Sequence, residues 1–252
     1  MKRLFVLLVL LAVQTVVFGQ RVVFIGDSVT DGGWGRSCDL GRPSAERNHK
    51  DQNHIYGHGY MMMCAAHYEA VQPARDWHFF NRGISGDDLL RIEARWDDDV
   101  VALRPDVLSM MEGINDVYLH MRNHAGEEFD FAGWESRYRA LLDRAREANP
   151  DLRIMLGTPF IARVERRNES ADYDSCEAAV WRLAEIVTRI AADYDAVVLR
   201  YDELFAGLEL VYPSVPVSHW IWDGIHPTMA GHRMMADLWI ENFDKMADSS
   251  LK

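Results

Sequence analysis

Short runs of β-branched, aromatic and other apolar residues recur along the chain: RVVFI at 21–25, WHFF at 77–80, DVLSMM at 106–111, LRIML at 152–156 and AVVLR at 196–200. Their length and composition predict buried strands. Between them apolar positions recur every three or four residues, as in Trp134, Tyr138, Leu141, Leu142 and Ala145, and again in Val180, Leu183, Ile186, Val187 and Ile190. That spacing predicts helices with one buried face. Asn149 and Pro150 end the first of these, and a last helix is expected over Thr228 to about Asp244, with Met235, Leu238 and Trp239 on its inner face. Strand and helix alternate, which predicts an α/β fold: a mostly parallel sheet covered on both faces and joined by right-handed crossovers.

In such sheets ligands bind beyond the carboxyl ends of the strands. The rule singles out four segments: GDSVTDGG after the first run, NRGISGDD after the second, EGINDV after the third, and WDGIHP before the last helix. The longest loops are expected at Arg36 to His54 and at Arg163 to Asp174.

A serine hydroxyl is a weak nucleophile until a base takes its proton. Ser28 alone reads more readily as a helix cap or turn residue than as a nucleophile. Asp223 and His226, three positions apart, can supply the base, because a helical or tight turn puts their side chains on one side. One carboxylate oxygen would then orient the imidazole while its other nitrogen faces Ser28. Attack on an ester also needs donors for the oxyanion. Gly86 can present its amide, and Asn115 its side-chain amide, although a plain turn and an Asx turn account for each alone. Trp222 and Tyr118 are candidate substrate-pocket residues, with core packing as the commoner fate of aromatics.

Taken together and in this order, Gly26-Asp27-Ser28, Gly86, Gly113-x-Asn115-Asp116 and Asp223-x-x-His226 resemble the four blocks of the SGNH (GDSL-like) hydrolases. The resemblance runs from about Arg21 to the final helix. It implies Ser28 as nucleophile, His226 as base and Asp223 as its partner, with oxyanion donors from Ser28, Gly86 and Asn115. It also implies a three-layer α/β/α sandwich around a five-stranded, flavodoxin-like parallel sheet. The stretches Asn81 to Gly86, Ala94-Arg95-Trp96 with the acids at 97–99, Gly113 to Val117 and His226 to His232 are similar to bacterial acetylxylan esterases within that family. Removal of acetyl groups from a plant polysaccharide such as xylan is the activity this implies. The alternatives are a lysophospholipase or thioesterase of the same family, and a catalytically silent carbohydrate-binding protein. Intact Ser28, Asp223 and His226 argue against the last.

Residues 1–20 carry Lys2 and Arg3, an apolar run from Leu4 to Val13 and small residues near Gly19, the pattern of a secretory signal peptide. A secreted or periplasmic protein is expected, its hydrolase domain spanning 21–252. Removal of the leader shifts the net charge from −12 to −14. So acidic a chain is expected to bind neither nucleic acid nor, once the leader is gone, membranes stably. Its expected partner is a small ester or acetylated carbohydrate, and self-association into a homo-oligomer stays open. Cys38, Cys64 and Cys176 allow at most one disulfide, with Cys64 and Cys176 expected as buried thiols in helices and Cys38 in a loop. His49, His54 and His58 with Asp51 match no metal-ligand spacing, and neither metal nor cofactor is expected.

Overall fold

The computed structural model describes residues 20–33, 57–164 and 173–249. Residues 1–19 of the expected leader, the whole of the loop expected at 36–54 with Cys38, His49, Asp51 and His54, and residues 165–172 lie outside the described residues.

Five strands form one sheet: β1 (Gln20–Gly26), β2 (Trp77–Gly83), β3 (Val107–Met111), β4 (Arg153–Gly157) and β5 (Val197–Leu199). Every pairing is parallel and the spatial order is β2-β1-β3-β4-β5. The chain steps from β1 to β2 on one side and returns to β3 on the other, so the direction of winding reverses at β1 and β3. Their carboxyl ends therefore open a crevice.

Successive side chains on a strand point to opposite faces. Val23 and Ile25 face one core with Leu108, Met110, Ile154 and Leu156, while Val22 and Phe24 face the other with Met111 and Met155. The first core is closed by α3 (Leu89–Ala94), α4 (Ile114–Asn123), α5 (Phe131–Ala148) and α6 (Tyr173–Asp193). The second is closed by α2 (Tyr60–Val71), α7 (Tyr201–Val211) and α8 (Met229–Ser249). The result is the three-layer sandwich expected from the alternation. All five positions named on α5 and all five on α6 are buried, as are Met235 and Trp239 on α8, whereas Leu238 is only half-buried at the edge of its core. The last helix runs past Asp244 to Ser249. Cys64 holds a buried free thiol in α2, and Cys176 is buried in α6.

The one hydroxyl in the otherwise apolar β3 has a purpose. Ser109 Oγ accepts the indole hydrogen of Trp239 at 3.0 Å, which ties the middle of the sheet to α8. Trp239 is fully buried, so without Ser109 its N–H would have no water to turn to. We expect Ser109→Ala to lower stability by about 1–3 kcal/mol, the usual penalty for orphaning a buried donor, as read by denaturant unfolding.

Beyond β1, Asp27 caps α1 (Ser28–Asp31), its Oδ1 accepting the Val29 amide at 2.9 Å. The same residue is almost fully buried, and loss of hydration lifts its pKa from 3.8 to about 6 despite that bond. A carboxyl whose folded pKa lies above its unfolded value stabilises fully at low pH, and that contribution fades as pH rises through about 4 to 6. Asparagine caps helices as well as aspartate but does not ionise. The melting temperature of Asp27→Asn should therefore gain on the parent protein between pH 4.5 and pH 7.5; an offset independent of pH would contradict this account.

Candidate active site

Ser28 is the first residue of α1, at the carboxyl end of β1. Its backbone amide is one of those that a helix start leaves without an intrahelical partner. From the other end of the chain comes the loop Trp222–Pro227, which the sequence folds tightly around one carboxylate. Asp223 Oδ1 accepts the amides of Ile225 at 3.0 Å and His226 at 2.8 Å. Ile221 pairs with Pro227 in an isolated bridge, Trp222 N–H bonds His226 O at 3.1 Å, and Ala162 N–H holds Gly224 O at 2.9 Å. The imidazole is thus mounted on a closed turn rather than on a free loop.

The remaining oxygen, Asp223 Oδ2, lies 2.7 Å from His226 Nδ1, and His226 Nε2 lies 2.8 Å from Ser28 Oγ. With Nδ1–H donated to the carboxylate, a neutral ring offers its Nε2 lone pair to the serine hydroxyl. Burial alone would raise the Asp223 carboxyl, but the His226 side chain and the two loop amides outweigh it and hold the pKa near 2. The carboxylate therefore stays charged at every pH at which the imidazole is useful.

Gly86 lies in the turn beyond β2, next to Asp87, whose carbonyl Asn115 reaches. Gly86 adopts φ +86°, open to glycine at no cost, and a Cβ there would point into free space. Asn115 Nδ2 donates to Asp87 O at 2.8 Å, so the side chain from β3's end is tied directly to the turn beyond β2. That turn is braced by acids the sequence did not single out. Asp31 accepts from the Ser85 amide at 3.2 Å and from its hydroxyl. Asp87 pairs with Arg95 at 2.8 Å, and Arg95 in turn pairs with Asp99 at 2.6 Å and donates to Arg82 O at 2.7 Å. Burial raises the Asp87 pKa, an effect the Arg95 guanidinium offsets only in part. Beneath them Glu112 is sealed in, its Oε1 accepting the Gly113 amide, and burial with Asp27 nearby lifts its pKa well above the ordinary value. Ala94-Arg95-Trp96 was visible as a motif, but the pairing of Arg95 with Asp87 depends on how the chain turns and leaves no local signature.

An open cleft runs past Ser28 and His226, lined also by His58, Trp222, Met229 and His232. Trp222 stacks near His226, ring centroids 6.2 Å apart, and leaves half its surface to solvent. Tyr118 is placed elsewhere: half-buried on α4, it packs against the core shared with α5 and α6, away from the cleft-lining residues described. Among the described residues no three His, Cys, Asp or Glu side chains gather in a way that could hold a metal ion. No described helix is long and apolar enough to cross a membrane.

Comparison with known proteins gives this arrangement a context. The sequence profile of the GDSL-like lipase/acylhydrolase family matches residues 24–234. An acetylxylan esterase from Geobacillus stearothermophilus is 30% identical over 224 residues, covering 86% of this chain and 91% of that one. A crystal structure of an acetylxylan esterase, Axe2, from the same organism superposes with a TM-score of 0.69 over 88% of this chain and 93% of that one, at 27% identity. A GDSL-like lipase structure from Parabacteroides merdae gives a TM-score of 0.72 at 28% identity over 88% of this chain and 94% of that one. Structures of the Geobacillus enzyme with a serine, an aspartate or a histidine replaced are described as catalytic mutants, the last two sites three positions apart. The match across most of the chain, on a sheet of the same architecture, shows that this protein belongs to the GDSL-like lipase/acylhydrolase family and is a carboxylic ester hydrolase of SGNH fold.

Proposed function

We propose that the protein is a secreted or periplasmic serine esterase that removes acetyl groups from the hydroxyls of a plant polysaccharide such as xylan. The observation that carries the chemical part is the 2.8 Å contact between Ser28 Oγ and His226 Nε2. His226 takes the hydroxyl proton at Nε2 as Ser28 Oγ attacks the acetyl carbonyl carbon. The oxyanion is met by the amides of Ser28 and Gly86 and by Asn115 Nδ2, groups fixed before substrate arrives. When the tetrahedral adduct collapses, His226 returns the proton to the sugar oxygen and acetyl stays on Ser28. Water, activated by the same nitrogen, then attacks and acetate leaves. Asp223 stabilises the imidazolium in both halves and holds the ring in the required tautomer. No cofactor enters this scheme.

The acetylated-carbohydrate reading is supported by the 30% identical acetylxylan esterase, by the half-exposed Trp222 face on the cleft rim and by the polar side chains beside it. Export is supported by the leader-like pattern of residues 1–20, and a neutral substrate by the acidic balance of the chain.

Ser28→Ala should abolish turnover of p-nitrophenyl acetate while leaving the melting temperature unchanged; undiminished turnover would remove Ser28 from the mechanism. Asp223→Asn keeps an oxygen for the loop amides but forfeits the charge and the tautomer, and should lower kcat by roughly 10⁴-fold. Acetyl reporters should be hydrolysed faster than octanoyl ones, with acetate released from acetylated xylan. A preference for octanoyl would favour the lysophospholipase or thioesterase reading instead.

A further inference from the structure

The first turn of α8 carries a second, equally fixed histidine that the triad does not use. His232 lines the same cleft as Ser28 and His226. Its seat follows from local structure. Helix α2 starts behind Gly59, which has no side chain to cap the first amides. His232 Nδ1 does so from outside, accepting the Tyr60 amide hydrogen at 3.2 Å, and the two rings lie 11° from parallel. Gly59 also leaves room for the approach, since a Cβ there would sit 3.3 Å from His232 Cε1.

This contact settles the tautomer. A backbone amide can only donate, so Nδ1 accepts, and in a neutral ring the hydrogen resides on Nε2. Burial first, and then the neighbouring His226, lower the His232 pKa to about 4, so the ring is neutral near pH 7. Nε2 has no partner among the described residues and is not sealed within the core. Because it already carries a hydrogen, it cannot compete with His226 for the serine proton. It can only donate.

The chemistry of the first half-reaction says to what. The leaving oxygen must reach His226 Nε2 to be protonated, so the alcohol part of the ester occupies the part of the cleft bounded by His226, Trp222, Met229 and His232. We infer that His232 is a specificity-determining residue: its Nε2–H donates a hydrogen bond to a hydroxyl or ring oxygen of the departing sugar while its Nδ1 stays committed to Tyr60. This inference rests on the carbohydrate-ester reading above.

The test compares two esters of similar shape, a monoacetylated methyl β-xyloside and cyclohexyl acetate, with the parent protein, His232→Gln and His232→Phe. Glutamine can accept from Tyr60 and still donate; phenylalanine cannot, and His232→Met provides a second donorless variant should phenylalanine impair folding. The parent should prefer the sugar. His232→Phe should lose roughly 3- to 10-fold in kcat/KM on the xyloside, mainly through KM, with cyclohexyl acetate unaffected, and His232→Gln should restore most of the preference. A parent with no preference for the sugar would overturn the carbohydrate reading itself. A preference that survives in the donorless variants, or equal losses on both esters, would overturn the role of His232 alone.

Discussion

Proton transfer between Ser28 and His226 tolerates an error of a few tenths of an ångström, yet the two residues are 198 positions apart. Everything else in the fold can be read as the means of meeting that tolerance. The serine is fixed by a central strand, paired on both sides and buried on both faces. The histidine is fixed by a turn that Asp223 closes with three hydrogen bonds, one of which doubles as its contact with the imidazole ring. Because one carboxylate both shapes the loop and holds the ring, the loop cannot relax without misplacing the base.

A chain this acidic concentrates several of its carboxylates around the same crevice. Asp27, Asp31 and Asp87 are nearly inaccessible, and each one satisfies backbone amides or an arginine rather than facing a ligand. Buried ion pairs such as those of Arg95 and Arg82 with Asp99 add little net stability, since desolvation offsets much of their attraction. Their value lies in register: Arg95, just past the end of α3, links the end of β2 and the segment that follows α3 to Asp87, the residue that Asn115 grips. The candidate oxyanion donors thus come from the ends of separate strands, with Asn115 and the turn that carries Gly86 tied together by this network.

The layers of the fold were legible because their cause is local. Val22 to Ile25 read as a doubly buried strand since neither face meets water, and the three- and four-residue spacing in α5 and α6 maps directly onto buried faces. The candidate catalytic set was legible for another reason: Ser28, Gly86, Asn115 and the Asp223–His226 pair occur together in an order that resembles a known family, although each alone is ordinary. What stayed hidden was contact between distant segments. Tyr118 follows Asn115 closely enough to suggest substrate, while its packing beside the core of α5 and α6 had no signal in the sequence. Asp31 and Asp87 look like turn residues, and only the meeting of α1 with the β2–α3 loop reveals what they bind. His232 was visible within a motif, but its tautomer depends on an amide 172 residues away.

The central claim is that Ser28 is nucleophilic only because His226 accepts its proton. Peptide mapping after treatment with diethyl p-nitrophenyl phosphate tests it most directly. The account predicts a single phosphoryl adduct, on the peptide containing Ser28, that fails to form in His226→Ala. An adduct at another residue, or labelling of Ser28 at the parent rate when His226 is gone, would contradict it.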